Sequence, residues 1–248
     1  VHVADPRFWV LAAIVAGAFA VEATTGFGST VITLTLAVHL FPLDVLLPTL
    51  VPLGLVLSTT IVSRQHAHVD RALLLRRVLP LMGLGVAAGL AVFEVASNEA
   101  LRRVFGAFVV LVAATELWRL RGGAATGGSR PLRPWVEQAA LLGAGVIHGI
   151  FASGGPLLVW TLGRQGLEKR AFRATLSSIW LALGVVLTAA YAVSGRLTGG
   201  ALVATAALVP VLAVAVPLGE WAHVRLDETR FRRIVFVLLL GAGLTNAL

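Results

Sequence analysis

Two short clusters in this chain place hydroxyls and bare backbone where the surrounding sequence is hydrocarbon. Thr24-Thr25-Gly26-Phe27-Gly28-Ser29 interrupts one apolar run, and Ser153-Gly154-Gly155-Pro156 interrupts another. A cluster of this kind offers main-chain N–H groups and hydroxyls to a ligand, because glycine lets a ligand approach the backbone closely. The spacing predicts a new helix from about Ser29 and another from about Pro156, a residue type that suits a first helical turn. Each start would present unbonded N–H groups and the positive end of a helix dipole, a combination that attracts anions. One ionisable residue precedes each cluster: Glu22 the first, His148 the second. Ionisable groups inside a membrane are functional candidates by default. Imidazole titrates near neutrality when unperturbed, so His148 and its counterpart Glu22 are candidates to couple protons to a cargo or to contact it. A hydrogen-bonded structural pair is the competing reading.

The composition identifies the solvent. Of 248 residues, 58% are hydrophobic and 13% charged, with mean hydropathy +0.90. Soluble domains carry about 25% charged residues, so the chain reads as a membrane protein. The net charge of +8 then belongs to cytoplasmic loops rather than to a nucleic-acid surface. The absence of cysteine removes thiolate metal sites and a cysteine nucleophile. No nucleotide-binding motif occurs, and no cofactor or metal is expected. No secretory leader is expected ahead of the first apolar run.

The elements that must position the two clusters follow from the apolar runs, at about 8–23, 29–41, 45–63, 72–93, 101–119, 136–151, 155–163, 172–193, 200–219 and 229–247. A helix needs roughly 20 residues to cross a bilayer core. Six runs reach that length: 45–63, 72–93, 101–119, 172–193, 200–219 and 229–247. The other four form two short pairs, each joined through a Gly/Ser break. Thirteen residues rise only about 20 Å as a helix, which favours a re-entrant hairpin for at least part of each pair. At an offset of 126 residues Gly28 falls on Gly154, Thr35-Leu36 on Thr161-Leu162, Thr49-Leu50 on Thr175-Leu176 and Glu94 on Glu220. The chain therefore reads as an all-α polytopic protein of two repeats, 1–120 and 135–248. A polar Gly-rich linker, 121–134, joins them.

The arginines and lysines orient the repeats. If each short pair returns to its starting side and each long run crosses once, 16 of the 20 lie on one face, and Arg7, Arg102, Arg103 and Arg196 lie on the other. Positive residues are retained in the cytoplasm, which places the linker inside and both termini outside. Three crossings per repeat is an odd number, so the repeats have inverted topology, as in many secondary transporters. In such an arrangement two broken helices meet near the midplane. Irregular backbone at that depth lines a cavity or packs on protein. The expected site is thus a small-anion pocket built from Thr24, Thr25, Gly26, Phe27, Gly28 and Ser29 with Ser153, Gly154, Gly155 and Pro156. Thr49, Thr175 and Ser178 would wall it. Close helix packing by small residues is the alternative use of the glycines. Glu94 and Glu220 read as interfacial, and His66-Ala67-His68 as a solvated loop rather than a metal pair.

The two breaks, "TTGFGSTVITLTL" and "IFASGGPLLVWTL", with the two-fold order of segments around them, resemble the TauE/SafE family of sulfite exporters over nearly the whole chain. The resemblance implies a multi-pass inner-membrane protein of a bacterium, with duplicated halves, that moves sulfite, sulfonates such as sulfoacetate, or related small organic anions. It implies that Gly26, Gly28, Ser29, Ser153, Gly154, Gly155 and Pro156 occupy the family's glycine motifs. Export by alternating access is the resulting expectation. Anion uptake coupled to protons or sodium, and an anion channel, stand as alternatives, and a homo-oligomer is open. An enzyme is not expected, since His148 and Ser153 lack a third partner.

Overall fold

A computed structural model describes residues 3–121, 132–225 and 228–247. Its regular elements are helices: α1 (Pro6–Thr25), α2 (Ser29–Ala37), α3 (Leu43–Gln65), α4 (Arg71–Val95), α5 (Asn98–Arg121), α6 (Pro134–Phe151), α7 (Gly155–Leu162), α8 (Lys169–Val193), α9 (Gly199–Arg225) and α10 (Glu228–Ala247). A π-helical turn at Leu74–Val78 lies inside α4. Residues 122–131 of the expected linker lie outside the described residues.

By length and apolarity α1, α3, α4, α8 and α9 can each cross a membrane. The inclusion of α1 corrects the expectation that 8–23 falls short of a span. Asp5 caps the helix by accepting from the Arg7 N–H at 2.9 Å, and Pro6 takes the first turn. The helix thereby reaches 20 residues, about 30 Å. Conversely, 101–119 and 229–247 belong to helices of 24 and 20 residues, and among the described residues neither gives a full apolar span. Arg102, Arg103, Glu116 and Arg119 charge α5 near its two ends, and the apolar part of α10 is Val235–Ala247.

In both hairpins the chain comes back to where it started. The Arg7 Nη1 at the beginning of α1 donates to the Leu40 carbonyl beyond α2 at 3.4 Å, and its guanidinium lies 5.2 Å over the Phe41 ring. Likewise the Gln165 Nε2 beyond α7 donates to Glu137 in the first turn of α6 at 3.1 Å. The helix boundaries also recur. α1 ends at Thr25 and α6 at Phe151, α2 begins at Ser29 and α7 at Gly155, and α3 begins at Leu43 and α8 at Lys169. Each pair is 126 residues apart.

The helices cluster into two compact units that interleave the sequence halves. One comprises residues 1–46, 96–125 and 200–248, the other 47–95 and 126–199. The first holds α1, α2, α5, α9 and α10; the second holds most of α3 with α4, α6, α7 and α8. In the second, α4 and α6 meet backbone to backbone. A Cβ on Gly85 or Gly89 would overlap main-chain atoms of α6, and one on Gly145 or Gly149 would overlap main-chain atoms of α4. Glycines four apart on both helices make this approach possible, the usual means of association where lipid removes the hydrophobic drive between helices. In the first unit Gly219 of α9 presses on Ala20 of α1, and Gly106 of α5 on the end of α10.

The remaining surface suits lipid. Leu84, Leu111 and Val203 are exposed, and Trp9, Trp118, Trp135 and Trp221 are exposed toward helix ends, where aromatic side chains favour the headgroup region. Buried hydroxyls are mostly returned to their own helix: Thr35 donates to the Val31 carbonyl, Thr161 to Leu157 and Thr205 to Ala201. Such bonds satisfy a hydroxyl without a partner helix.

Candidate functional site

The break between α1 and α2 lies in the first unit. α1 ends because Gly26 turns left-handed, with φ 83°, and its N–H donates to the Glu22 carbonyl at 2.7 Å. Gly28, with φ 108°, then redirects the chain into α2. An added Cβ at Gly28 would meet nothing within 4 Å, so conformation rather than space requires glycine there. The turn brings the half-buried Glu22 carboxylate onto the start of α2. Its Oε2 accepts from the Ser29 N–H at 3.0 Å and from the Ser29 hydroxyl. Ser29 is buried. The positive end of α2 is therefore met by an acid of the same chain, as a helix start favours. The side chains of Thr24 and Thr25 lie outside the described residues. Phe27 is half-buried beside the turn.

One turn further along α2, the Thr33 hydroxyl is fully buried and has no partner among the described residues. Asn246 of α10, also fully buried, donates its Nδ2 to the Thr35 carbonyl at 3.0 Å, while its Oδ1 has no partner among the described residues. Neither Thr33 nor Asn246 was expected. An amide within the last apolar run was the visible signal for the second.

The break between α6 and α7 lies in the second unit and is built differently. The left-handed position falls on Ala152, φ 50°, whose N–H donates to the His148 carbonyl at 2.7 Å. The Ser153 hydroxyl is turned inward onto the Phe151 carbonyl at 2.8 Å. Gly154 packs so tightly that a Cβ would overlap the Ala144 carbonyl and come 3.0 Å from the His148 Cβ. Here space rather than conformation requires glycine. α7 then opens with Gly155 and Pro156. Among the described residues no side chain accepts from the N–H groups of Gly155 or Leu157.

His148 occupies the position of Glu22 at the 126-residue offset, but its surroundings share little with those of Glu22. It is 5% exposed, its ring stacks on Trp180 of α8 with centroids 5.2 Å apart, and neither ring nitrogen has a partner among the described residues. A buried imidazole with two unbonded nitrogens costs free energy unless something meets it. Beside it stands a helix start with no side-chain cap. Backbone N–H groups and one imidazole are the donors this arrangement offers.

The expected wall residues divide. Thr175 is committed elsewhere, its hydroxyl accepting from the Asp70 N–H at the head of α4 at 2.9 Å. Ser178 donates to the Ala174 carbonyl of its own helix at 2.9 Å. Thr49 is fully buried in α3. Among the described residues no three His, Asp or Glu side chains gather as metal ligands, and His66 and His68 are exposed in a 3₁₀ turn.

The sequence profile of the sulfite exporter TauE/SafE family matches residues 9–245. A curated relative, the probable sulfite/organosulfonate exporter TauE of Cupriavidus necator, is 29% identical over 99 residues. That match spans 40% of this chain and 39% of the relative. No solved structure matches the chain.

Proposed function

This chain belongs to the sulfite exporter TauE/SafE family, a family of membrane transporters rather than enzymes, and from that premise we propose that it carries small anions out of a bacterial cytoplasm. Sulfite or an organosulfonate such as sulfoacetate is the cargo, and alternating access of two inverted repeats is the mechanism. One observation carries the assignment of the site. The start of α7 lacks a side-chain cap and stands beside a buried imidazole with neither nitrogen bonded. At this break the first N–H of the helix is open to a cargo, because the equivalent N–H at α2, that of Ser29, is taken by Glu22. Backbone donors suit a carrier, which must release what it binds.

The membrane potential favours this direction: a monovalent anion leaving a negative interior gains about 2.3 kcal/mol per 100 mV. Glu22 gives proton-coupled uptake its footing as the second reading. A carboxyl that takes up a proton would weaken its hold on Ser29, tying a proton to the state of the first break.

Proteoliposomes test the proposal. Efflux of labelled sulfoacetate should saturate and show counterflow, and His148→Leu should abolish it while leaving a monodisperse protein. Non-saturating flux without counterflow would make the protein a channel. Normal binding and transport in a folded His148→Leu variant would place the site elsewhere.

A further inference from the structure

A second anion site is built into the end of the first unit, away from either break. The connection between α2 and α3 and the first turn of α5 enclose a cleft of about 300 Å³ lined by His39, Leu40, Phe41, Asn98, Glu99 and Arg102, among others. Its walls are tied together. The Asp44 N–H donates to the Asn98 Oδ1 at 3.4 Å, and Arg7 holds the opposite lip through the Leu40 carbonyl and the Phe41 ring.

The charges in and around the cleft are unequally committed. Four arginines lie on the face that the charge distribution assigns to the outside. Arg7 is paired with Asp5 at 2.8 Å, Arg103 with Glu99 at 2.6 Å and Arg196 with Glu94 at 2.9 Å. Arg102 alone of the four has no hydrogen bond or ion pair among the described residues, and it is the one that lines the cleft. The carboxylate in the lining, Glu99, is already neutralised by Arg103, and Asp44 does not line the cleft. What remains is an unspent planar fork of N–H donors, an exposed imidazole at His39 and a side-chain amide at Asn98, around a space a small ion fits. A guanidinium fork matches the paired oxygens of an oxyanion. The first turn of α5, which carries Asn98, Glu99 and Arg102, adds the positive end of a helix.

We infer that this cleft is a peripheral station for small oxyanions, with Arg102 as the principal ligand and His39 and Asn98 beside it. The ligand class is sulfonate or sulfite, which rests on the cargo proposed above, or the chemically similar phosphate of a lipid headgroup.

His39 provides a local readout. The purified full chain, in phosphatidylcholine nanodiscs at neutral pH, is treated with diethyl pyrocarbonate, and modification of His39 is followed by mass spectrometry. Millimolar sulfoacetate should slow that modification several-fold in the wild type. Arg102→Gln should weaken the protective affinity about tenfold, and Arg102→Lys should restore part of it. The unliganded rate at His39 checks that each variant keeps the cleft. Protection that appears on adding phosphatidylglycerol, without sulfoacetate, identifies a headgroup as occupant and supports the oxyanion site. No protection by either, or equal protection in Arg102→Gln, overturns the inference. His148→Leu separates the two sites: if it stops transport yet leaves His39 protected, both stand. Protection in a wild type that moves no anion would remove the transport proposal alone.

Discussion

At α2 the first helical N–H belongs to Ser29 and is bonded to Glu22, whereas at α7 the corresponding N–H belongs to Gly155 and meets no side chain among the described residues. The residues that differ sit at the same offset: an acid in one break, an imidazole in the other. The glycines differ in purpose as well. Gly28 is needed for its backbone angle and Gly154 for its lack of a side chain. Two breaks that align in sequence are therefore not two copies of one site. The first helical N–H is met by a side chain at one helix start and not, among the described residues, at the other, and the proposed function assigns the ligand to the second.

The hairpins are also held with unequal force. α6 touches α4 through four glycines, whereas the α1–α9 contact has one, Gly219, on Ala20. Gly149→Leu should therefore be the most damaging change, costing about 3 kcal/mol or more because backbone on both sides would have to move. Gly143→Leu, on the same helix but with open space at its Cβ, should leave the protein folded. Thermal unfolding in detergent with size-exclusion profiles checks the pair. Equal tolerance of both would mean that α4 and α6 do not meet through their glycines.

A smaller effect separates stability from transport. Glu22→Ala leaves the Ser29 amide and hydroxyl without their acceptor, a loss of about 1.5–3 kcal/mol for bonds to a charged group. His148→Leu removes two unbonded nitrogens from a buried site and should change stability by less than about 1 kcal/mol, since an apolar replacement of similar size relieves a polar group that lacks partners. Yet His148→Leu is the variant expected to lose transport. Melting temperatures and sulfoacetate efflux measured on both variants test this crossing of effects. A strongly destabilised His148→Leu with intact efflux would give the imidazole a structural role.

The positions of both breaks were legible because glycine and hydroxyl residues cluster there between pairs of short apolar runs, and the 126-residue offset reproduces the helix boundaries at Thr25 and Phe151, Ser29 and Gly155, and Leu43 and Lys169. The length of α1 was not legible, because it depends on a cap at Asp5 and Pro6 that lies outside the apolar run. The attachment of Glu22 to Ser29 was hidden too. Seven residues separate them, and only the angles at Gly26 and Gly28 turn the carboxylate back onto α2. Thr175 looked like a cavity residue by its alignment with Thr49, but its bond is to Asp70, 105 residues away, a partner no local pattern announces. Nor does sequence order tell which helices cluster. α9 and α10 join α1, α2 and α5, and the two glycine stripes at 85/89 and 145/149 mark an interface only once they are seen to face each other.

The mildest test concerns the left-handed residue that ends the first helix of each hairpin. Gly26 sits at φ 83° and Ala152 at φ 50°. The second angle lies at the edge of the left-handed region open to ordinary residues, and the first lies beyond it. A side chain in that region costs about 1–2 kcal/mol, against which glycine loses roughly 0.5–1 kcal/mol of chain entropy on folding. Ala152→Gly should therefore stabilise by about half a kcal/mol, and Gly26→Ala should destabilise by about 1 kcal/mol. The signs are opposite because the two substitutions are the reverse of each other at helix ends that both turn left-handed. Melting temperatures of the two single variants decide it. Shifts of the same sign would mean that the two helix ends do not both turn left-handed, and the contrast between the breaks would then extend beyond Glu22 and His148 to the backbone itself.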